Sequence, residues 1–124
     1  MANVTIRLFP KTNRLYLKLE GFLTVNEAND LKERYGRALS KCRRGFTVLS
    51  DISDLRSQTP QVQEIMQKIT KMTGDAGVSR VARIVGLNPI AGIQLGRLAH
   101  SESKFPAGNF KTPDEAERFL RVGA

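Results

Sequence analysis

FTVLSDISDLRSQTPQVQEI (residues 46–65) holds two periodicities that meet within a few residues. Its first half, FTVLSDI (46–52), is short, apolar and β-rich, the pattern of a buried central strand. In its second half Val62 and Ile65, continued by Met66, Ile69 and Met72, fall at helical spacing. Thr59-Pro60 reads as N-cap and first helical residue, because the proline lacks only an N–H that no helix start can satisfy. A strand running straight into a helix is half of a β-α-β unit. That unit requires a partly parallel sheet with helices packed over it.

The same two periods recur on either side. VTIRLF (4–9) alternates, with Val4, Ile6 and Leu8 on one face, and PKTN supplies turn residues. RLYLKLE (14–20) alternates again through Leu15, Leu17 and Leu19, so the two segments predict an antiparallel hairpin. Thr24 and Glu27 form a capping box. Val25, Ala28, Leu31, Tyr35, Ala38, Leu39 and Cys42 then share one helical arc, and Gly45 ends the helix after Lys41, Arg43 and Arg44. Gly74 and Gly77 break the second helix, and RVARIVGL (80–87) predicts a fourth strand. Asn88-Pro89 opens a helix running to about His100, and a short strand is expected between Phe105 and Phe110. Thr112-Pro113-Asp114-Glu115 caps a closing helix that turns Ala116, Phe119 and Leu120 inward. The expectation is one α/β domain over residues 1–124, with a single mixed four- to five-stranded sheet, an N-terminal hairpin and about four helices.

Composition narrows the chemistry. The chain has 124 residues, 40% hydrophobic and 26% charged, which suits one globular core. No apolar run approaches the ~20 residues of a membrane helix, and MANVTIRLFP lacks a signal-peptide pattern, so a cytoplasmic protein is expected. Cys42 is the single cysteine and His100 the single histidine. Neither an internal disulfide, a cysteine-based zinc site nor a histidine cluster can be built from them, which argues against most hydrolases and metalloenzymes. The net charge of +8 draws anionic partners of several kinds without choosing among them. With no Trp and only 2 Tyr, no RNA-stacking surface is apparent.

Three stretches carry a resemblance to a known superfamily: GFLTVNEANDLKE, TVLSDISDL and NFKTPDEAERFL. In their order they resemble the STAS, or SpoIIAA-like, domains over nearly the whole chain. The resemblance implies a protein that binds protein partners without catalysis, as most members do, although some bind nucleotides or lipids; no cofactor is expected. In the regulatory branch a partner kinase phosphorylates a Ser or Thr at the start of the helix after the third strand. Laid on this chain, Asp51, Ile52 and Ser53 match the first part of that motif, and Thr59, Pro60 and Gln61 fall on the second. The phosphorylated position therefore coincides with Pro60, which has no hydroxyl. A Thr-Pro helix start and an Asp-Glu-Ala closing helix are closer to the SpoIIAA-like group.

Four groups of residues are candidates. Asp51, Ser53, Asp54 and Arg56 make a partner-binding loop, with Asp51 and Ser53 expected to bond local amides rather than to hold a metal. Ser57 and Thr59 are the hydroxyls left for a phospho-switch, Thr59 doubling as a helix cap. Arg34, Arg37, Lys41 and Arg44, at 3-4-3 spacing, form a basic stripe for phosphates of nucleic acid or lipid, unless Glu27, Asp30 and Glu33 simply pair with it. Ile90, Ile93, Gln94 and Arg97 make a second arc on the helix opened by Asn88-Pro89, fit for a partner or a homodimer. No catalytic or metal-binding set emerges. The expected function is a protein-interaction and regulatory domain of a bacterial signalling pathway, docking a regulator or kinase. The alternative is a module for an anionic ligand, nucleic acid or lipid headgroup, on the basic stripe.

Overall fold

The computed structural model describes residues 2–86 and 105–121. A five-stranded sheet runs in the order β1 (Asn3–Phe9), β2 (Arg14–Gly21), β3 (Thr47–Leu55), β4 (Arg80–Ile84), β5 (Ala107–Phe110). β1 is antiparallel to β2, and the other pairs are parallel. Helices α1 (Val25–Leu39) and α2 (Pro60–Asp75) cross between parallel strands, and α3 (Pro113–Arg121) follows β5.

Leu15, Leu17 and Leu19 pair across the hairpin with Leu8, Ile6 and Val4, so both alternating runs present one apolar face. On that face Val48, Ile52 and Val81 join the buried sides of α1 and α2 in the larger core. The opposite face is smaller: Leu49, Ala82 and Ile84 pack under Ala116 and Leu120 of α3. A strand apolar on both faces must lie inside a covered sheet, which is why β3 sits at its centre. Each Leu, Ile or Phe so buried contributes about 1.5–3 kcal/mol, well above the ~1 kcal/mol of a helix cap, so the caps place the helix ends while the core decides the fold.

The caps form as their residues dictate. Thr24 Oγ1 accepts from the Glu27 amide at 3.1 Å, and Glu27 Oε1 accepts from the Thr24 amide at 3.0 Å. Glu27 Oε2 also accepts from the Ala2 amide at 3.1 Å, which ties the start of β1 to the start of α1. These donors, the Thr24 amide first, hold the Glu27 carboxyl below its ordinary pKa. Thr59 Oγ1 accepts from the Val62 amide at 3.3 Å, with Pro60 as the first residue of α2. α1 and α2 meet through Tyr35, whose hydroxyl lies 2.9 Å from Thr73 Oγ1.

One end of the sheet is laced by its turns. The Gly45 amide donates to the Gly77 carbonyl and the Ser79 amide to the Phe46 carbonyl, each at 2.7 Å. The Thr47 amide reaches the Asn13 carbonyl at 3.1 Å, while the Asn13 side chain bonds both the amide and the carbonyl of Arg43. Gly45 and Gly77 have φ of 88° and 91°, left-handed values that favour glycine.

Several boundaries differ from the sequence reading. α1 stops at Leu39 instead of running to Gly45, because the Ser40 hydroxyl turns back to the Arg37 carbonyl at 2.6 Å and closes the last turn. Val25, placed on the inward arc, is 42% exposed. β3 continues to Leu55, since β2 pairs with it as far as Gly21–Leu55 despite the Ser and Asp in the run. β4 ends at Ile84, short of Leu87. Three of the about four expected helices fall within the described residues. The helix expected from Asn88, with Ile90, Ile93, Gln94 and Arg97, lies outside the described residues.

Candidate functional site

The carboxyl ends of β2 and β3 open into a groove lined by Phe22, Ser53, Asp54, Leu55, Arg56 and Ser57. Two loops build it. β2 leaves the sheet through Gly21 (φ 83°) and Phe22 before α1 is capped, and β3 leaves through Leu55 and Arg56 before α2 is capped. The Arg56 amide donates to the Gly21 carbonyl at 2.9 Å, fixing one loop against the other.

The candidate residues from this stretch have distinct placements, with Ser53, Asp54, Arg56 and Ser57 on the groove and Asp51 and Thr59 off it. Asp51 lies in β3 and not in the turn: its Oδ1 accepts from the Ser53 amide at 3.1 Å and from the Ser53 hydroxyl at 2.7 Å. That pairing satisfies Asp51 locally, as an Asx-type bond does. Asp54 is exposed and, among the described residues, shares no hydrogen-bonding partner with Asp51. No three His, Cys, Asp or Glu side chains gather as a cation site among the described residues. Ser57 is exposed on the groove, whereas the Thr59 hydroxyl already caps α2.

The residue that sequence reasoning missed here is Phe22, 39% exposed at the groove's edge with Val25 also exposed nearby in the chain. No local pattern marked it: Phe22 follows the last residue of β2, where Gly21 at φ 83° interrupts the alternation that orients side chains within the strand.

The basic stripe is only partly assembled. Arg34, Arg37 and Lys41 line a second groove with Ile6, Leu8 and Ala38, between α1 and the edge strand β1. Arg44 does not join them. It lies beyond the end of α1, and its side chain packs so close to Gly77 that a Cβ there would meet it at 3.0 Å. Arg34 forms an i,i+4 ion pair with Asp30 at 3.8 Å, an exposed contact worth little. On the sheet's other face, the hairpin sets Phe9 and Tyr16 among Arg7, Arg14 and Lys18, an aromatic and basic surface that residue counts alone did not reveal.

This architecture is a SpoIIAA-like fold. The chain is similar to a protein of the DUF3478 family from Shewanella loihica with a SpoIIAA-like fold, at 20% identity and a TM-score of 0.72, covering 96% of this chain and 93% of that one. It is also similar to an anti-sigma factor antagonist from Mycobacterium paratuberculosis (15% identity, TM-score 0.65, 98% and 95% covered). A serine-to-glutamate variant of RsbS from Moorella thermoacetica matches at 15% identity and a TM-score of 0.64, with 97% and 99% covered. No family model and no curated protein matches the chain. Among the described residues no helix is long and apolar enough to cross a membrane.

Proposed function

We propose that the chain is a non-enzymatic regulatory domain of bacterial signalling that docks a protein partner in the cytoplasm through the groove at the carboxyl ends of β2 and β3. The observation that carries this reading is the exposed Phe22 ring beside Asp54, Arg56 and Ser57. An aromatic anchor within a charged rim is the composition of an interface hot spot. The likeness to an anti-sigma factor antagonist supports a partner of the signalling-regulator kind. Ser57 is the hydroxyl through which phosphorylation would retune the groove, since a phosphate there adds negative charge beside Arg56.

The test is site-specific photocrosslinking in native cells, with a photoreactive residue at Ser57 or, as control, at exposed Lys68 on α2. A defined protein should crosslink from position 57 only and disappear when Phe22→Asp is added. Equal crosslinking from both positions, or capture that survives Phe22→Asp, sinks the reading.

A second reading rests on the groove of Arg34, Arg37 and Lys41 over Ile6 and Leu8, which suits an anionic ligand. Phosphate binding there should weaken steeply with salt, by a log–log slope of about 0.7–0.9 per phosphate contacted. Binding that ignores ionic strength excludes it.

A further inference from the structure

One cross-strand row interrupts the apolar face beneath α1 and α2. Leu17 pairs with Ser50, Ser50 with Arg83, and Arg83 with Asn109. Neighbouring positions on this face are Leu15, Val48, Ile52 and Val81, all in the core. Ser50 and Arg83 are as enclosed as those residues, at 7% and 8% exposed. Arg83 Nε donates to Asn109 Oδ1 at 2.9 Å. Among the described residues its two Nη atoms meet no acceptor and no carboxylate, and the Ser50 hydroxyl bonds nothing. A guanidinium remains charged in proteins even where burial lowers its basicity, as here. A buried guanidinium is costly unless its N–H groups are paired, so the Nη atoms call for an acceptor that the described residues do not supply.

Both groups face a cavity of about 50 Å³ between the sheet and the helices. At 10–15 Å³ per water by the same measure, it has room for roughly three to five water-sized groups. Among the described residues its polar lining is Arg83, Ser50, Thr70, Tyr35 and Thr73, the last two already bonded to each other, while Met66, Ile69 and Phe105 are among its apolar walls. Phe105 is held there by the absence of a side chain opposite: a Cβ on Gly74 would come within 3.3 Å of its ring.

We propose that this cavity binds a small organic carboxylate, its two oxygens on the Arg83 fork and the Ser50 hydroxyl, its short alkyl end against Met66, Ile69 and Phe105. The fork geometry matches a carboxylate bidentately. Inorganic phosphate or sulfate carries oxygen on every side and would press some of it against apolar wall. The volume admits an acid of about four to five non-hydrogen atoms, acetate or propionate in size. The site lies between the sheet and α2, apart from the surface grooves described above, and stands independently of the docking reading.

Propionate is the probe, titrated into the ¹⁵N-labelled full chain at constant ionic strength with chloride as the balancing anion. The Arg83 side-chain Nε–H and the Ser50 amide should shift saturably, with a Kd near or below about 1 mM. Arg83→Met should keep a folded spectrum and lose at least about tenfold in affinity, while Arg83→Lys, which keeps the charge but not the fork, should fall in between. Ser50→Ala tests the hydroxyl should Arg83→Met fail to fold, and it too should weaken binding. No saturable shift in the wild-type chain overturns the proposal, as does propionate affinity unchanged by these substitutions. Inorganic phosphate binding as tightly as propionate overturns the carboxylate assignment.

Discussion

Tyr35→Phe isolates the contact between α1 and α2. Tyr35 and Thr73 are 2% and 3% exposed, and their oxygens lie 2.9 Å apart. The Thr73 hydroxyl already donates to the Ile69 carbonyl at 2.8 Å, so the phenol must be the donor to Thr73. Removing it leaves only an unfilled acceptor lone pair and keeps the ring's packing, so the loss is that of one buried hydrogen bond, about 1 kcal/mol. At about 2.1 cal/mol/K of unfolding entropy per residue, the 124-residue chain should drop by about 4 °C in Tm. Urea unfolding followed by far-UV circular dichroism is the assay, since the chain has no Trp and the substitution alters its Tyr signal. A cycle with Thr73→Val should give a coupling of about 0.5–1.5 kcal/mol. Alkali supplies an independent signature. Burial pushes the Tyr35 phenol above its ordinary pKa of 10.0. Its stabilising share is fully present below about pH 10 and is lost as pH rises, because the unfolded chain releases the proton first. Each pH unit above 10 should therefore cost wild-type stability about 1.4 kcal/mol that Tyr35→Phe does not lose. The gap between the two proteins should close and then reverse. A coupling near zero, or a gap constant with pH, refutes the assigned geometry.

Gly77→Ala should destabilise by about 1–3 kcal/mol in urea, because φ is 91° and the new Cβ meets the Arg44 side chain. Gly45→Ala at φ 88° meets no atom within 4 Å, so it should cost less than Gly77→Ala, and the reverse order would show that the Arg44 contact is unimportant. The lowered Glu27 pKa means that its capping contribution is present above the ordinary value of 4.5 and lost as pH falls through the lowered one. Wild type should therefore lose its advantage over Glu27→Ala as acid unfolding is followed downward from pH 5. Thr59→Ala should cost about 0.5–2 kcal/mol by removing the α2 cap, whereas Thr59→Asp should lose much less, read as urea midpoints.

What was legible in the sequence follows what local physics controls. The leucine parity of β2, the Thr24–Glu27 box and the Thr59-Pro60 start all act within a few residues, and all form as read. The end of α1 was misread because Ala38, Leu39 and Cys42 continue its apolar arc. Ser40 and the polar run behind it stop the helix by bonding back instead. The carboxyl end of β3 was misread for the converse reason: Ser53 and Asp54 are poor strand formers, yet pairing to Glu20 and Gly21 carries the strand through. Of the candidate site, Asp51, Ser53 and Asp54 were read as a loop but lie in β3, with Arg56 just beyond it, and Phe22 drew no notice. The meeting of Ser50 with Arg83 was not, since residues 33 apart in sequence become neighbours only through the register of β3 on β4.

The laced end has a consequence for how the molecule breathes. Asn13, Gly45, Phe46, Gly77 and Ser79 knot together the chain where β2, β3 and β4 begin, while at the opposite strand ends the described residues show two separate ties, from Arg56 to Gly21 and from Val85 to Phe110. Local opening follows the weaker side. Amides of Thr47 and Ser79 should then be among the last to exchange with deuterium, and that of Arg56 among the earlier ones. The domain resembles a hand stitched at the wrist and free at the fingers, so that the fingers can close on a guest without unpicking the seam.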